Sequence, residues 1–293
     1  MRNRSIKTRI LIIVILLLAL AKIPALSQGT DLESSYMKKL YVGLSISPAQ
    51  TSILNNGISD ISQAKSTKRN AVFISIDGGY FFSKYFGLSS GIGYSSYLTD
   101  LALGTYNTTY TTTDTDQDIY ERRISGAGIE EIQKIGMLSI PVMATLQIPF
   151  NPNFGLDIQT GLNFSVPVTK NYSSTGTFTY SGYYPVYKVL ISDVPYEGFQ
   201  SNVLNDTNGD LELNTFNPEF IVTGGMYLLM KNKIQISLGL FYNKLLSNIS
   251  GYSETDTFTL SEYPDKLNTL MGGSTKTTTQ ALGIRVGFRY YIK

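Results

Sequence analysis

The chain has 293 residues, with 24 basic and 22 acidic side chains, 26 glycines, 21 tyrosines and 14 phenylalanines, and it lacks cysteine, histidine and tryptophan. Without cysteine there are no disulfides, thiolate nucleophiles or cysteine metal sites, and without histidine the usual general base and commonest transition-metal ligand are missing. The formal net charge of +2 is misleading: Arg2, Arg4, Lys7, Arg9 and Lys22 stand in the first 27 residues, and setting them aside leaves 19 basic against 22 acidic side chains, which excludes a basic nucleic-acid-binding footprint.

The N-terminus opens on a basic segment to Arg9, followed by the unbroken apolar run Ile10–Ala21 and then Ala25-Leu26-Ser27. A basic region, a short apolar region and small residues at the cleavage positions describe a secretory signal peptide over residues 1–27. The apolar run falls short of the roughly 20 residues a helix needs to cross a bilayer. Residues 28–39 are polar and read as a lead-in, and residues 40–293 form one domain with no internal boundary.

From Leu40 onward the period is two, the signature of strands. Leu40–Pro48 puts Leu40, Val42, Leu44 and Ile46 on one face, with Gly43, Ser45 and Ser47 on the other. Ala71–Phe82 and Phe86–Leu98 repeat the split, with only Ser83-Lys84-Tyr85 between them. A long stretch rich in Thr, Asp and Tyr, 99–133, precedes Lys134–Phe150, where Pro141 predicts a bulge or a local break in the ladder. Asn151-Pro152-Asn153 predicts a tight turn into Phe154–Thr169. There Leu156, Ile158, Leu162 and Phe164 alternate with Asp157, Gln159, Gly161 and Asn163. After the insertion 170–216, strands follow near 217–229, 234–246 and 275–292, the last two separated by a polar insertion, 247–274. That makes eight strands joined by connections that alternate long and short.

Such an order predicts an all-β fold: an eight-stranded, antiparallel, up-and-down barrel with short turns at one end and long loops at the other. A soluble barrel would also alternate, but its outer face would be rich in Lys and Glu. Here the second face is mostly Gly, Ser, Thr, Asn and Gln. That choice suits a crowded interior, so the apolar face is expected outward, against outer-membrane lipid. Aromatic residues near the short turns, such as Tyr80, Phe82, Phe86, Phe150 and Tyr290, read as an interfacial girdle.

Four passages carry a family resemblance: LYVGLSISP, YFGLSSGIGY, MLSIPVMATLQIPF with NPNFGLDIQTGLNFSVPV, and the closing ALGIRVGFRYYIK. With the leader and eight strands, the chain resembles the PorT-like outer-membrane β-barrel proteins of Bacteroidetes across residues 40–293, less the long loops. The resemblance implies an outer-membrane location. Its namesake branch takes part in type IX secretion, so a component of that machine is one alternative function; a narrow channel for small solutes is another.

The main functional expectation is a structural or interaction protein whose long loops contact a protein or glycan, as a monomeric barrel with no cofactor. No enzyme is expected, because the catalytic barrels of this fold generally use histidine. Inside the barrel, Asp77, Asp157, Gln159, Asn163, Arg285 and Arg289 are expected to form a polar network with a structural role. In the last long insertion but one, Asp206, Asn208, Asp210 and Glu212 resemble the opening of a calcium loop, since alternate oxygen ligands suit a hard cation. The alternative is an Asn/Asp/Gly turn. Leu211 stands where such a loop has glycine, and Asn217 where it has the closing glutamate.

Overall fold

A computed structural model describes residues 40–57, 64–230, 233–252 and 258–292; the expected signal peptide and lead-in lie outside the described residues. The strands are β1 (Leu40–Asn56), β2 (Ala64–Phe81), β3 (Phe86–Thr113), β4 (Ile119–Asn151), β5 (Phe154–Tyr184), β6 (Val189–Ser192), β7 (Val203–Asp210), β8 (Asn217–Met230), β9 (Ile234–Leu245) and β10 (Lys276–Ile292). Eight of them close a ring, in the order β1-β2-β3-β4-β5-β8-β9-β10 and back to β1, with every pairing antiparallel. The short β6 and β7 add only to the far half of β5. Closure leaves no exposed ladder edge in the ring.

Alternation fixes what faces in. On β5, Asp157, Gln159, Asn163 and Ser165 are buried, while Leu162 and Val166 are exposed. Leu44 and Ile46 on β1, Ile76 on β2, Leu88 and Ile92 on β3, Ile140 and Val142 on β4, and Leu238 and Leu240 on β9 are likewise exposed, and together they form an apolar belt around the ring. On β4 this belt runs from Leu138 to Phe150, close to the roughly 9–11 tilted residues that cross a membrane as a strand. Among the described residues no helix is long and apolar enough to cross a membrane.

The tight turn at Asn151-Pro152-Asn153 forms as expected, with the Asn151 side chain accepting from the Asn153 N–H at 3.0 Å. Pro141 does not create a bulge. The β3–β4 pairing lapses opposite it, between Ser90↔Val142 and Gly93↔Ser139, and resumes in the same register, because proline lacks the N–H the ladder needs there. The register shifts lie elsewhere: around Gly128 (φ +59°) on β4, near Val168 on β5, between Pro149 and Asn151 beside the tight turn, and between Lys68 and Ile74 on β2.

The stretches 99–133 and 170–216, expected as loops, are largely strand. β3 and β4 form one continuous hairpin closed by the turn at 114–118, and β5 runs beside them to Tyr184. At about 3.3 Å per residue, the 33 residues of β4 extend about 110 Å along the chain, far beyond the belt. The ring therefore carries a tall sheet of β3, β4, β5, β6 and β7 on its long-loop side. The inward face of that sheet is apolar: Leu101, Leu103, Tyr106, Ile124, Ile129, Phe178 and Tyr180 pack there with Leu260, Leu267 and Leu270 from the β9–β10 connection.

Candidate functional site

Two places hold the chemistry of this fold: the interior of the ring and the far rim of the tall sheet. At the short-turn end, Tyr41, Phe81 and Tyr291 close the interior, the Tyr41 ring lying where a Gly79 side chain would otherwise stand. At the other end an apolar layer that includes Ile53, Tyr97, Ile135, Met137, Phe241 and Leu245 fills it, with Met271 dipping in from the β9–β10 connection. The polar side chains lie between these layers.

The six residues expected as one network separate into smaller groups. The Arg289 guanidinium contacts the Asp157 carboxylate and lies 4.8 Å over the Tyr41 ring. Asp157 also accepts from Gln235, which joins Gln147 (3.0 Å) and the Tyr291 hydroxyl (2.6 Å). Arg285 stands 3.9 Å from Asp77. Gln159 donates to the Thr145 hydroxyl at 3.1 Å and lines a small cavity with Asp157, Arg285 and Arg289. Asn163 belongs to a different cluster, around Glu219.

Glu219 is absent from the sequence-based candidates, yet it is fully buried. It accepts from the Tyr97 hydroxyl at 2.8 Å, from Asn163 at 2.7 Å, from Ser165 at 2.9 Å and from Asn243 at 3.1 Å. Its inward parity with Thr223 and Tyr227 on β8 was the available signal. A cavity of about 60 Å³ separates this cluster from the Asp77–Arg285 pair.

The calcium-like segment is a strand, neither a metal loop nor a turn. Asp206, Asn208 and Asp210 lie on the exposed face of β7, with Glu212 just beyond its end. Alternate residues of an extended strand stand almost 7 Å apart, so their oxygens cannot converge on one ion. Lys134 lines the same surface groove as Asn208 and Asp210, placing a fixed cation beside them. Among the described residues no cluster of three acidic, histidine or cysteine side chains could hold a metal ion.

In the tall sheet, buried Arg122 lies over the rings of Tyr180, Phe199 and Tyr263 at 5.7, 5.5 and 5.2 Å and donates to the carbonyls of Gly198 and Glu262. Below it, Glu131 accepts from Gln133, from the Thr269 hydroxyl and from the Leu270 N–H at 2.6–2.8 Å. Burial pushes the Glu131 carboxyl above its ordinary range, against the pull of those three donors. Together these contacts fasten the β9–β10 connection over the sheet as a strap.

The rim is of another kind. Val186 is 80 % exposed and Tyr196 87 %, with Tyr187, Val189 and Leu190 also open. The rim backbone is held in place: Tyr184 donates to Asp114 at 3.0 Å and Tyr187 to Asp118 at 3.3 Å, tying the β5–β6 turn to the β3–β4 turn. Of the tyrosines between residues 170 and 216, Tyr180 and Tyr184 are packed inside the sheet and Tyr187 and Tyr196 are open.

A sequence model described as the outer membrane protein beta-barrel domain matches residues 27–217. No curated protein matches the sequence. Among solved structures, OprG from Pseudomonas aeruginosa is similar at 12 % identity and TM-score 0.37, covering 86 % of this chain and 95 % of that one. Ail of Yersinia pestis, in complex with the heparin analogue sucrose octasulfate, is similar at 9 % identity and TM-score 0.30, covering 86 % and 99 %. The outer membrane protease OmpT from Escherichia coli is similar at 8 % identity and TM-score 0.35, covering 87 % and 97 %.

Proposed function

The chain belongs to the outer membrane protein beta-barrel domain family, and from that premise we propose that it is a non-catalytic, monomeric surface-interaction protein. The ring anchors it in lipid, the short turns face the periplasm, and the tall sheet stands on the outer side with residues 1–27 removed on export. The observation that carries the reading is the rim: Val186, Tyr187, Leu190 and Tyr196 are open beyond the lipid belt while the backbone beneath them is tied down. Open tyrosine and aliphatic side chains on a rigid frame give large contact area at low ordering cost, which suits a protein or glycan partner. The closed layers at both ends of the lumen favour this role over a solute channel.

Photo-crosslinking from Val186 in intact cells tests the proposal. A discrete adduct that is lost when Y187S, L190S and Y196S are added to the chain carrying the crosslinker, with the barrel still heat-modifiable on a gel, is the expected result. No adduct, or an unchanged adduct in the variant, would overturn it. Adducts to secretion proteins would favour instead the alternative of a type IX secretion component, and reproducible single-channel steps in planar bilayers would favour a channel.

A further inference from the structure

Between the two closing layers the described residues place three carboxylates and two guanidiniums inside the ring: Asp77, Asp157, Glu219, Arg285 and Arg289. Arg289 contacts Asp157, and Arg285 stands beside Asp77. Glu219 faces only neutral donors. Ionised, it leaves the lumen one negative charge in excess, in surroundings where an uncompensated charge is expensive.

A carboxylate only accepts, so Asn163 and Asn243 must turn their amide nitrogens toward Glu219 and their carbonyl oxygens away. Both oxygens, Asn163 Oδ1 and Asn243 Oδ1, are buried without a hydrogen-bond partner, and so is Ser95 Oγ. All three residues line the 60 Å³ cavity. The two amide nitrogens share the single oxygen Glu219 Oε2, at 2.7 and 3.1 Å, which holds the two amides close together. A volume of that size takes a few water-sized occupants.

We propose that this end of the cavity binds one alkali-metal cation, coordinated by the carbonyl oxygens of Asn163 and Asn243, the Ser95 hydroxyl and water. Glu219 supplies the countercharge from behind the two amides. Hard cations favour such oxygen donors, and amide dipoles stand in for lost hydration. A divalent ion fits less well. One excess negative charge is too little to balance it, and Arg285 lines the far end of the cavity.

Two measurements test this on the full barrel in detergent. Crystals grown in rubidium chloride should show an anomalous peak between Asn163 Oδ1 and Asn243 Oδ1. Thermal unfolding at equal ionic strength should be higher in at least one alkali chloride than in choline chloride, by about 5 °C at saturation, and E219Q should abolish that difference. Unfolding that is the same in choline and in every alkali chloride, or a cavity holding only water in rubidium crystals, would overturn the proposal. The crystal measurement uses the unmodified chain, so it decides the question even if E219Q does not fold.

Discussion

The same three strands, β3, β4 and β5, are built in two opposite ways along their length. Within the belt they turn Ser89, Ser139, Asp157 and Asn163 inward and Leu88, Ile140 and Leu162 outward. Above it they turn Leu101, Ile124 and Phe178 inward, while Asn107, Ser125 and Lys134 are exposed. The backbone runs on through the change, with only a one-residue shift between β4 and β5 near Val168; the medium outside the sheet differs. Lipid takes the apolar side chains of the lower part, leaving its interior to polar residues that must satisfy each other. Water surrounds the upper part, so its apolar side chains collapse inward and need a cover, which the strap supplies.

The sharpest break of this contrast is in the lower interior. D157A should strand the Arg289 guanidinium in the lumen and cost about 3–5 kcal/mol, read as a lower denaturant midpoint and loss of the compact gel band. The neutral double variant D157N/R289Q should lose less than D157A alone, because it leaves no buried charge unpaired. If the single and double variants unfold alike, the ion pair is not what organises the lower interior.

A second test addresses the outer face. V286K places a charge in the belt and should cost about 2–4 kcal/mol near the bilayer midplane. T177K, on the outward face of the tall sheet, should stay within about 0.5 kcal/mol of the parent. Equal penalties would mean that both outer faces meet the same solvent.

How much of this was legible follows from the same contrast. The belt strands read directly, since an apolar residue at every second position, as in Leu156, Ile158, Leu162 and Phe164, has one structural meaning. The extent of the tall sheet was hidden for two reasons. Its outward face is rich in Thr, Ser and Asn, which resembles loop composition. Its inward parity also flips near Gly128, where β4 gains a residue relative to β5, and at the facing Gly104 on β3, so Leu101, Leu103, Tyr106 and Tyr110 do not keep one count. The DTNGD segment read as a turn or metal loop because its composition is that of one. Pairing with β5 over Asn171–Phe178 overrode that preference and drew it out as β7. The lumen pairs were partly legible, since Asp157 and Arg289 both sit at inward parity. Which partners meet across a ring depends on tilt and stagger, and single-strand periodicity carries neither.

The strap gives a milder pair of tests, confined to the upper part. R122A removes a guanidinium held by three rings and two carbonyls, at about 2 kcal/mol or more given desolvated cation–π contacts. The effect should be local: faster proteolysis within 258–275 with the barrel's gel shift unchanged. R122K should recover only part of the loss, because an ammonium cannot stack on the rings as a planar guanidinium does.

The smallest expected effect is a pH dependence of the same strap. Glu131 is buried, and its carboxyl is raised above the ordinary value when the strap is docked. A carboxyl that holds its proton more tightly in the docked form favours docking at low pH, and that contribution fades as pH rises through the raised value. Amide exchange in 258–275, corrected for intrinsic rate, should therefore become faster from the ordinary glutamate range upward, while exchange in the belt strands stays flat. E131Q should remove the dependence, at a fixed penalty of about 1–3 kcal/mol for setting an amide N–H against the Leu270 N–H. Slower exchange at high pH would mean that the three donated hydrogen bonds outweigh burial, and that the strap is fastened by the carboxylate rather than by the acid.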